Sequence, residues 1–236
     1  MYADRVFTKE NLDFCLKELA KDFRKRNRAG IPVEIILIGG ASVLLNYGFR
    51  EMTYDIDALI SVSGSLKESV QAVGEKFGLP ADWLNTDFMK TGSYSASLVE
   101  HSKYYKTFSN ILQVRTVTAE YLVAMKLMAG RLYKHDLSDI TGILAEHEEQ
   151  GEVLSFDMVK RAVEELYGSY DRLPENSRNF IEAVYRKESL KDFYRQCTEY
   201  EAQNKEILLG FQEEYPGVLN VGNIEDVLAA ARKKMQ

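Results

Sequence analysis

The sequence predicts an α/β core with a mixed sheet over residues 1–118, followed by an all-helical part over residues 119–236. Three observations lead there. Up to residue 118, short β-branched runs alternate with segments of helical period, which is the pattern of an α/β layer structure. After Thr118 nearly every segment repeats its apolar residues at helical spacing. The length of 236 residues, with 45% hydrophobic and 28% charged side chains, is enough to bury a core in one or two domains.

Residues 8–28 place Leu12, Cys15, Leu16, Leu19 and Phe23 on one helical face, with Thr8 as the N-cap. Lys21, Arg24, Lys25, Arg26 and Arg28 crowd the end before Gly30 and Pro32, a helix stop signal. They serve either the helix dipole on a solvated face or contact with RNA or nucleotide phosphate. Val33–Ile38 reads as a buried strand broken by Gly39-Gly40, and Ala41–Gly48 as a short helix. Tyr54–Ile60 reads as the next strand and residues 65–77 as a helix, with Leu66, Val70, Val73 and Phe77 on one face. Trp83-Leu84-Asn85 is expected in a loop after Pro80. Tyr94–Val117 is strand-like, with a turn at Ser109-Asn110. Helices are then expected over 120–133, opened by Thr118, and over 136–150, 156–168, 175–185, 190–215 and 224–235.

Several function classes are disfavoured. Cys15 and Cys197 are far apart and form no CxxC pair, so neither a zinc site nor a disulfide framework is expected. No leader-like apolar segment and no apolar run of membrane-spanning length is present, which leads to the expectation of a soluble cytoplasmic protein without membrane association. The net charge of -6 argues against a protein that simply coats nucleic acid, although an enzyme acting on a nucleic acid end needs only a local basic strip. His101, His135 and His147 have no second ligand at metal spacing.

Two short motifs carry chemistry. On a strand, Asp55 and Asp57 would project from one face while Ile56 points into the core. Adjacent carboxylates repel unless a cation joins them, and such oxygen ligands suit Mg²⁺ or Mn²⁺. Taken alone, the pair reads more simply as a solvated strand edge or a pair of helix-capping acids. Gly39-Gly40 could be a plain tight turn, but it opens into a helix, where backbone N–H groups cradle anions and the Ser42 hydroxyl could add a donor. Strand, Gly-Gly, helix and Asp-x-Asp strand in this order put an anion cradle beside a metal pair, as phosphoryl transfer requires.

Ile38-Gly39-Gly40-Ala41-Ser42 followed by Thr53-Tyr54-Asp55-Ile56-Asp57 resembles the nucleotidyltransferase superfamily that includes DNA polymerase beta. Glu120–Arg131, then Asp136-Leu137-Ser138-Asp139-Ile140, is similar to the third and fourth motifs of the AbiE-type and MenT-type toxins of bacterial toxin–antitoxin systems. The resemblance implies an NTP substrate, an acceptor such as RNA or a tRNA 3′ end, and an antitoxin protein as partner. It also implies Lys126 as a phosphate contact, Asp136 or Asp139 as a further carboxylate, and Arg131 as a supporting cation. One departure stands out: Ile111–Val117 contains no Asp or Glu where polymerase-like members carry a third carboxylate. Lys126 and Asp136 are therefore expected to face Asp55 and Asp57 across a cleft, outside the apolar core. The alternative is a catalytically weak module that binds nucleotide or a partner protein.

Overall fold

The computed structural model describes residues 6–60, 64–220 and 222–235. The chain divides into two compact units, Met1–Met125 with Leu154–Arg172, and Lys126–Val153 with Leu173–Gln236. Among the described residues every strand precedes Thr118, as the hydrophobic periods predict. The compact units divide elsewhere, however, because helix α6 (Phe156–Tyr167) belongs with the first unit. Its Tyr167 hydroxyl donates to the Ser93 carbonyl at 2.8 Å, and its Glu165 carboxylate accepts from the Tyr121 hydroxyl.

In the first unit, β1 (Val33–Leu37), β2 (Ile56–Ile60), β3 (Leu84–Asn85), β4 (Ser102–Phe108) and β5 (Leu112–Val117) form one mixed sheet in the order β3-β2-β1-β5-β4. β1 runs antiparallel to β2 and parallel to β5. Helices α1 (Lys9–Arg26) and α3 (Gly64–Phe77) share a core with one face of the sheet, where Ile35, Leu37, Ile56, Ala58, Leu112 and Val114 meet Leu12, Leu16, Leu19 and Leu66. Each such side chain, fully buried, contributes roughly 1.5–3 kcal/mol. A capping box starts α1: Thr8 accepts from the Asn11 backbone, and the Asn11 side chain accepts from Thr8. At its end, Arg26 pairs with Asp22 and Glu68, and Lys21 with Glu18, so these cations serve surface ion pairs.

The β4–β5 hairpin turns at Ser109 and Asn110, with φ of 50° and 54°, closed by the Ile111 N–H on the Phe108 carbonyl at 3.1 Å. Two consecutive left-handed residues match the right-handed twist of a hairpin. Residues before β4 differ from the expected strand: Ala96–Val99 form a 3-10 turn. Trp83-Leu84-Asn85 also departs from the expected loop. Leu84 and Asn85 pair in parallel with Ile56 and Asp57, and Trp83 is buried, its Nε1 donating to the Val70 carbonyl at 2.9 Å. Gly74 makes room for it, since a Cβ there would stand 3.3 Å from the indole.

The second unit is helical. It contains α5 (Asp136–Glu149), α7 (Glu175–Val184), α8 (Leu190–Glu214) and α9 (Ile224–Met235). α5 packs along α8, and a small apolar cluster of Leu208, Ile224 and Leu228 joins α8 to α9. No helix of the described residues is long and apolar enough to cross a membrane.

Candidate active site

β1 ends at Leu37, and helix α2 (Gly39–Asn46) starts at Gly39, two residues earlier than the apolar pattern suggests. Gly39 has φ +54°, a left-handed conformation that strongly favours glycine, and this lets the chain turn directly from strand to helix. A Cβ at Gly39 would lie 3.8 Å from Asp57 Oδ2. At Gly40 a Cβ would meet Thr53 Oγ1 at 2.6 Å and Arg50 Nη2 at 3.2 Å, so no side chain fits without displacing both. The helix start is thus flanked by a carboxylate on one side and by a hydroxyl and a guanidinium on the other.

The backbone holds this arrangement. The Ile38 N–H donates to the Asp57 carbonyl at 3.0 Å, extending the β1–β2 ladder to the turn. Thr53 exchanges two backbone hydrogen bonds with Phe7 at 2.7 and 2.9 Å, and its hydroxyl donates to the Asp55 carbonyl at 3.2 Å. Asp55 stands one residue ahead of β2, whereas the strand was expected to begin at Tyr54; Asp57 lies within it. Exposure alternates over the three residues: Asp55 is exposed, Ile56 buried and Asp57 half-buried. Ser42 is fully buried and accepts from the Val117 N–H at 3.1 Å. Its hydroxyl therefore docks α2 on β5, a structural task that the sequence reading did not foresee.

Nothing in the sequence gives Arg50 or Asn85 a role in the site, and Thr53 enters only as the first residue of the Thr53–Asp57 motif, with no role of its own. Arg50 and Thr53 touch Gly40 only because the chain folds back after α2, and Asn85 adjoins Asp57 only through β3. No periodicity marks any of them. Among the described residues no three His, Cys, Asp or Glu side chains form a metal cage. The carboxylate beside Gly39 is that of Asp57, with Asp55 two residues earlier in the chain, and carboxylate oxygens fit Mg²⁺, an ion that keeps several waters and takes substrate phosphates as further ligands.

In the second unit Lys126, Arg131, Asp136 and Asp139 come together. Lys126 Nζ lies 2.9 Å from Asp136 Oδ1 and 2.7 Å from Asp139 Oδ2. Arg131 donates from Nε and Nη2 to the two oxygens of Asp136 at 2.8 and 3.1 Å. Asp136 and Asp139 are 0% and 1% exposed and Lys126 is 7% exposed, so the expectation that Lys126 and Asp136 avoid the interior is corrected. Charged groups so deeply buried are retained because they neutralise one another. Burial alone would raise the Asp136 carboxyl, but Lys126 and Arg131 outweigh it and hold it below the ordinary carboxylate range.

Helix α4 (Ala119–Ala129) leads to this cluster. It ends at Ala129, four residues before the expected Tyr133, and is followed by Gly130, whose φ is +56°. Thr118, the expected N-cap, leaves its hydroxyl without a hydrogen bond, while its carbonyl accepts from the Leu122 N–H at 2.9 Å.

Glu201, on α8, caps the start of α5 from outside. Its carboxylate accepts from the Leu137 N–H at 2.7 Å, the Ser138 N–H at 3.3 Å and the Ser138 hydroxyl at 2.5 Å. Burial pushes this carboxyl up to about 8 despite those donors. A carboxyl raised in the folded state stabilises the fold most below its unfolded value, and that contribution disappears as pH rises through the folded value. Stability of the chain should therefore decline from about pH 5 to pH 8, and Glu201→Gln should flatten that decline. Thermal melts at several pH values check this; equal slopes in both proteins would refute it. Asp136 acts at the acid end: its lowered carboxyl stabilises the fold above the unfolded value, and this is lost at lower pH.

Glycines opening a helix, with the Asp57 carboxylate of the neighbouring strand of a mixed sheet beside them, form an arrangement suited to a phosphate anion and a hard cation. Residues 14–195 match the family described as nucleotidyltransferase of unknown function (DUF6036), and the chain belongs to that family. No curated protein matches the chain.

Proposed function

We propose that the chain transfers a nucleoside monophosphate from an NTP to an acceptor hydroxyl, with RNA or a tRNA 3′ end as the acceptor. The observation that carries this reading is the placement of the Asp57 carboxylate beside the left-handed Gly39 at the start of α2. The N–H groups of Gly39, Gly40 and Ala41 point from the first turn and suit the triphosphate, and the helix dipole adds to their pull. Asp55 and Asp57 would hold Mg²⁺, which supplies charge neutralisation on the triphosphate. The acceptor oxygen bonds to the α-phosphorus, the bond from that phosphorus to the bridging oxygen of the β-phosphate breaks, and pyrophosphate leaves with the electron pair. The hydroxyl proton passes to solvent.

Asp136 is a poor candidate for the base, because both its oxygens accept from cations and its carboxyl is held low. In this reading the buried Lys126, Asp136 and Asp139 and the partly exposed Arg131 form a charge cluster that shapes the second unit. The AbiE-type and MenT-type resemblance supports an RNA acceptor and the role of a toxin restrained by an antitoxin.

A second reading is favoured by two specific observations. β5 carries Gln113 and Arg115 but no carboxylate, and Asp136 is neutralised by its partners. A chain so built would bind nucleotide and turn it over slowly or not at all. Incubation with each labelled NTP, Mg²⁺ and bulk tRNA separates the two: transfer of label to RNA supports the first, and metal-dependent binding without transfer supports the second.

A further inference from the structure

A pocket of about 360 Å³ opens within the second unit. Leu137 and Cys197 form its buried floor, and Phe180, Phe193 and Tyr200 are half-buried walls. The rings of Phe180 and Phe193 stand 6.0 Å apart at 28°. Exposed amides, from Asn176 and Gln196, mark the rim. No charged side chain lines the pocket, but Lys187 Nζ stands 4.3 Å from the Phe193 ring centre and the Arg232 guanidinium 3.9 Å from that of Tyr200, each covering one part of a wall from behind. Its volume is at the small end of ligand pockets, which span roughly 300–1,000 Å³.

These features restrict the ligand. A lining without Lys, Arg, Asp or Glu offers no counter-charge inside the pocket, which favours an uncharged group there. Aromatic walls favour a flat ring, which packs against the faces and edges that Lys187, Arg232 and the Phe180–Phe193 pair leave open to the pocket. An amide offers both donors and an acceptor, so the rim suits a heterocycle with donors and acceptors along its edge. We propose that this pocket binds a nucleobase, with the attached sugar and phosphate remaining outside. The choice of a nucleobase among flat heterocycles rests on the nucleotidyl-transfer reading; the existence of a site for an uncharged aromatic ring does not.

The test uses the full chain and 2-aminopurine riboside, whose fluorescence is quenched on stacking. It carries no phosphate, so it does not depend on the Asp55/Asp57 site. Saturable quenching is expected without Mg²⁺, weakened about tenfold or more in Phe193→Ala through loss of one stacked ring, and unchanged in Asp57→Asn. Because Phe193→Ala removes a half-buried ring, a thermal melt accompanies it, and Gln196→Ala provides a surface variant. The Gln196 variant should reduce the differences in competition among adenosine, guanosine, cytidine and uridine. The proposal is overturned by absence of quenching at millimolar probe, by its loss in Asp57→Asn but not in Phe193→Ala, or by toluene displacing the probe better than every nucleoside. Failure of label transfer to RNA would defeat the transferase reading and leave probe binding unchanged, so the two failures are distinguishable.

Discussion

Asp57→Asn is expected to lower nucleotide transfer by roughly 10²–10³-fold or more, the scale on which single electrostatic contributors to a transition state act. The substitution keeps the side-chain shape beside Gly39 and removes one of the two charges proposed to hold Mg²⁺. Asp57 is half-buried and asparagine keeps its size and one acceptor oxygen, while the backbone hydrogen bond to Ile38 is untouched, so the fold should be retained. Two measurements are needed together. Labelled NTP incorporation reads the transfer, and calorimetric titration of NTPs with and without Mg²⁺ reads the metal response. Wild type should bind more tightly with Mg²⁺, and the variant should show little gain. Equal metal-dependent affinity in the two proteins would remove Asp57 from the metal site. Gly39→Ala offers an independent probe of the same corner, since a left-handed alanine costs about 1–2 kcal/mol and its methyl would touch the Asp57 carboxylate.

The second large effect concerns stability. Lys126→Met removes the ammonium that pairs with both buried carboxylates, Asp136 and Asp139, and breaking a buried pair by removing one partner costs about 3–5 kcal/mol. For a chain of this size the melting temperature should fall by roughly 10 °C. The four charges sum to zero, so removing one of each sign restores the balance. Lys126→Met combined with Asp139→Leu leaves Arg131 and Asp136 paired, and this double variant should be less destabilised than the sum of its single changes. Melts of the three variants check this. A Lys126→Met protein that melts with wild type would show that the cluster contributes nothing to the fold. Loss of activity in that variant has meaning only below its own melting temperature, where a phosphate contact and a structural cation can be told apart.

Most of the fold was legible from local periods. The leucines of α1 recur at helical spacing, β1 is a β-branched run ended by glycines, and the helical character after residue 118 follows from repeats at helical spacing; each depends on residues near in sequence. Element ends were less legible. Gly39 enters α2 as its first residue because the turn needs φ +54°, a backbone condition that hydrophobicity does not encode. β3 has only two residues and owes its existence to pairing with Ile56 and Asp57, so nothing in Trp83-Leu84-Asn85 alone announces a strand.

For the site, the sequence by itself determined the order of parts: strand, Gly-Gly, helix and an Asp-x-Asp strand, all within 28 residues (33–60). That order suffices because β1 and β2 are antiparallel neighbours, so the end of one adjoins the start of the other. Only the tertiary structure decided what Ser42, Arg50, Lys126 and Asp136 touch. Ser42 bonds to Val117 and Arg50 reaches Gly40, while Lys126 meets Asp136 and Asp139 where α5 begins. The physical reason is one of range. Backbone hydrogen bonding and side-chain alternation act over a few residues and leave a period in the sequence. The partner of a charge or hydroxyl is set by where distant segments pack, and an exposed lysine is written with the same letter as a buried one.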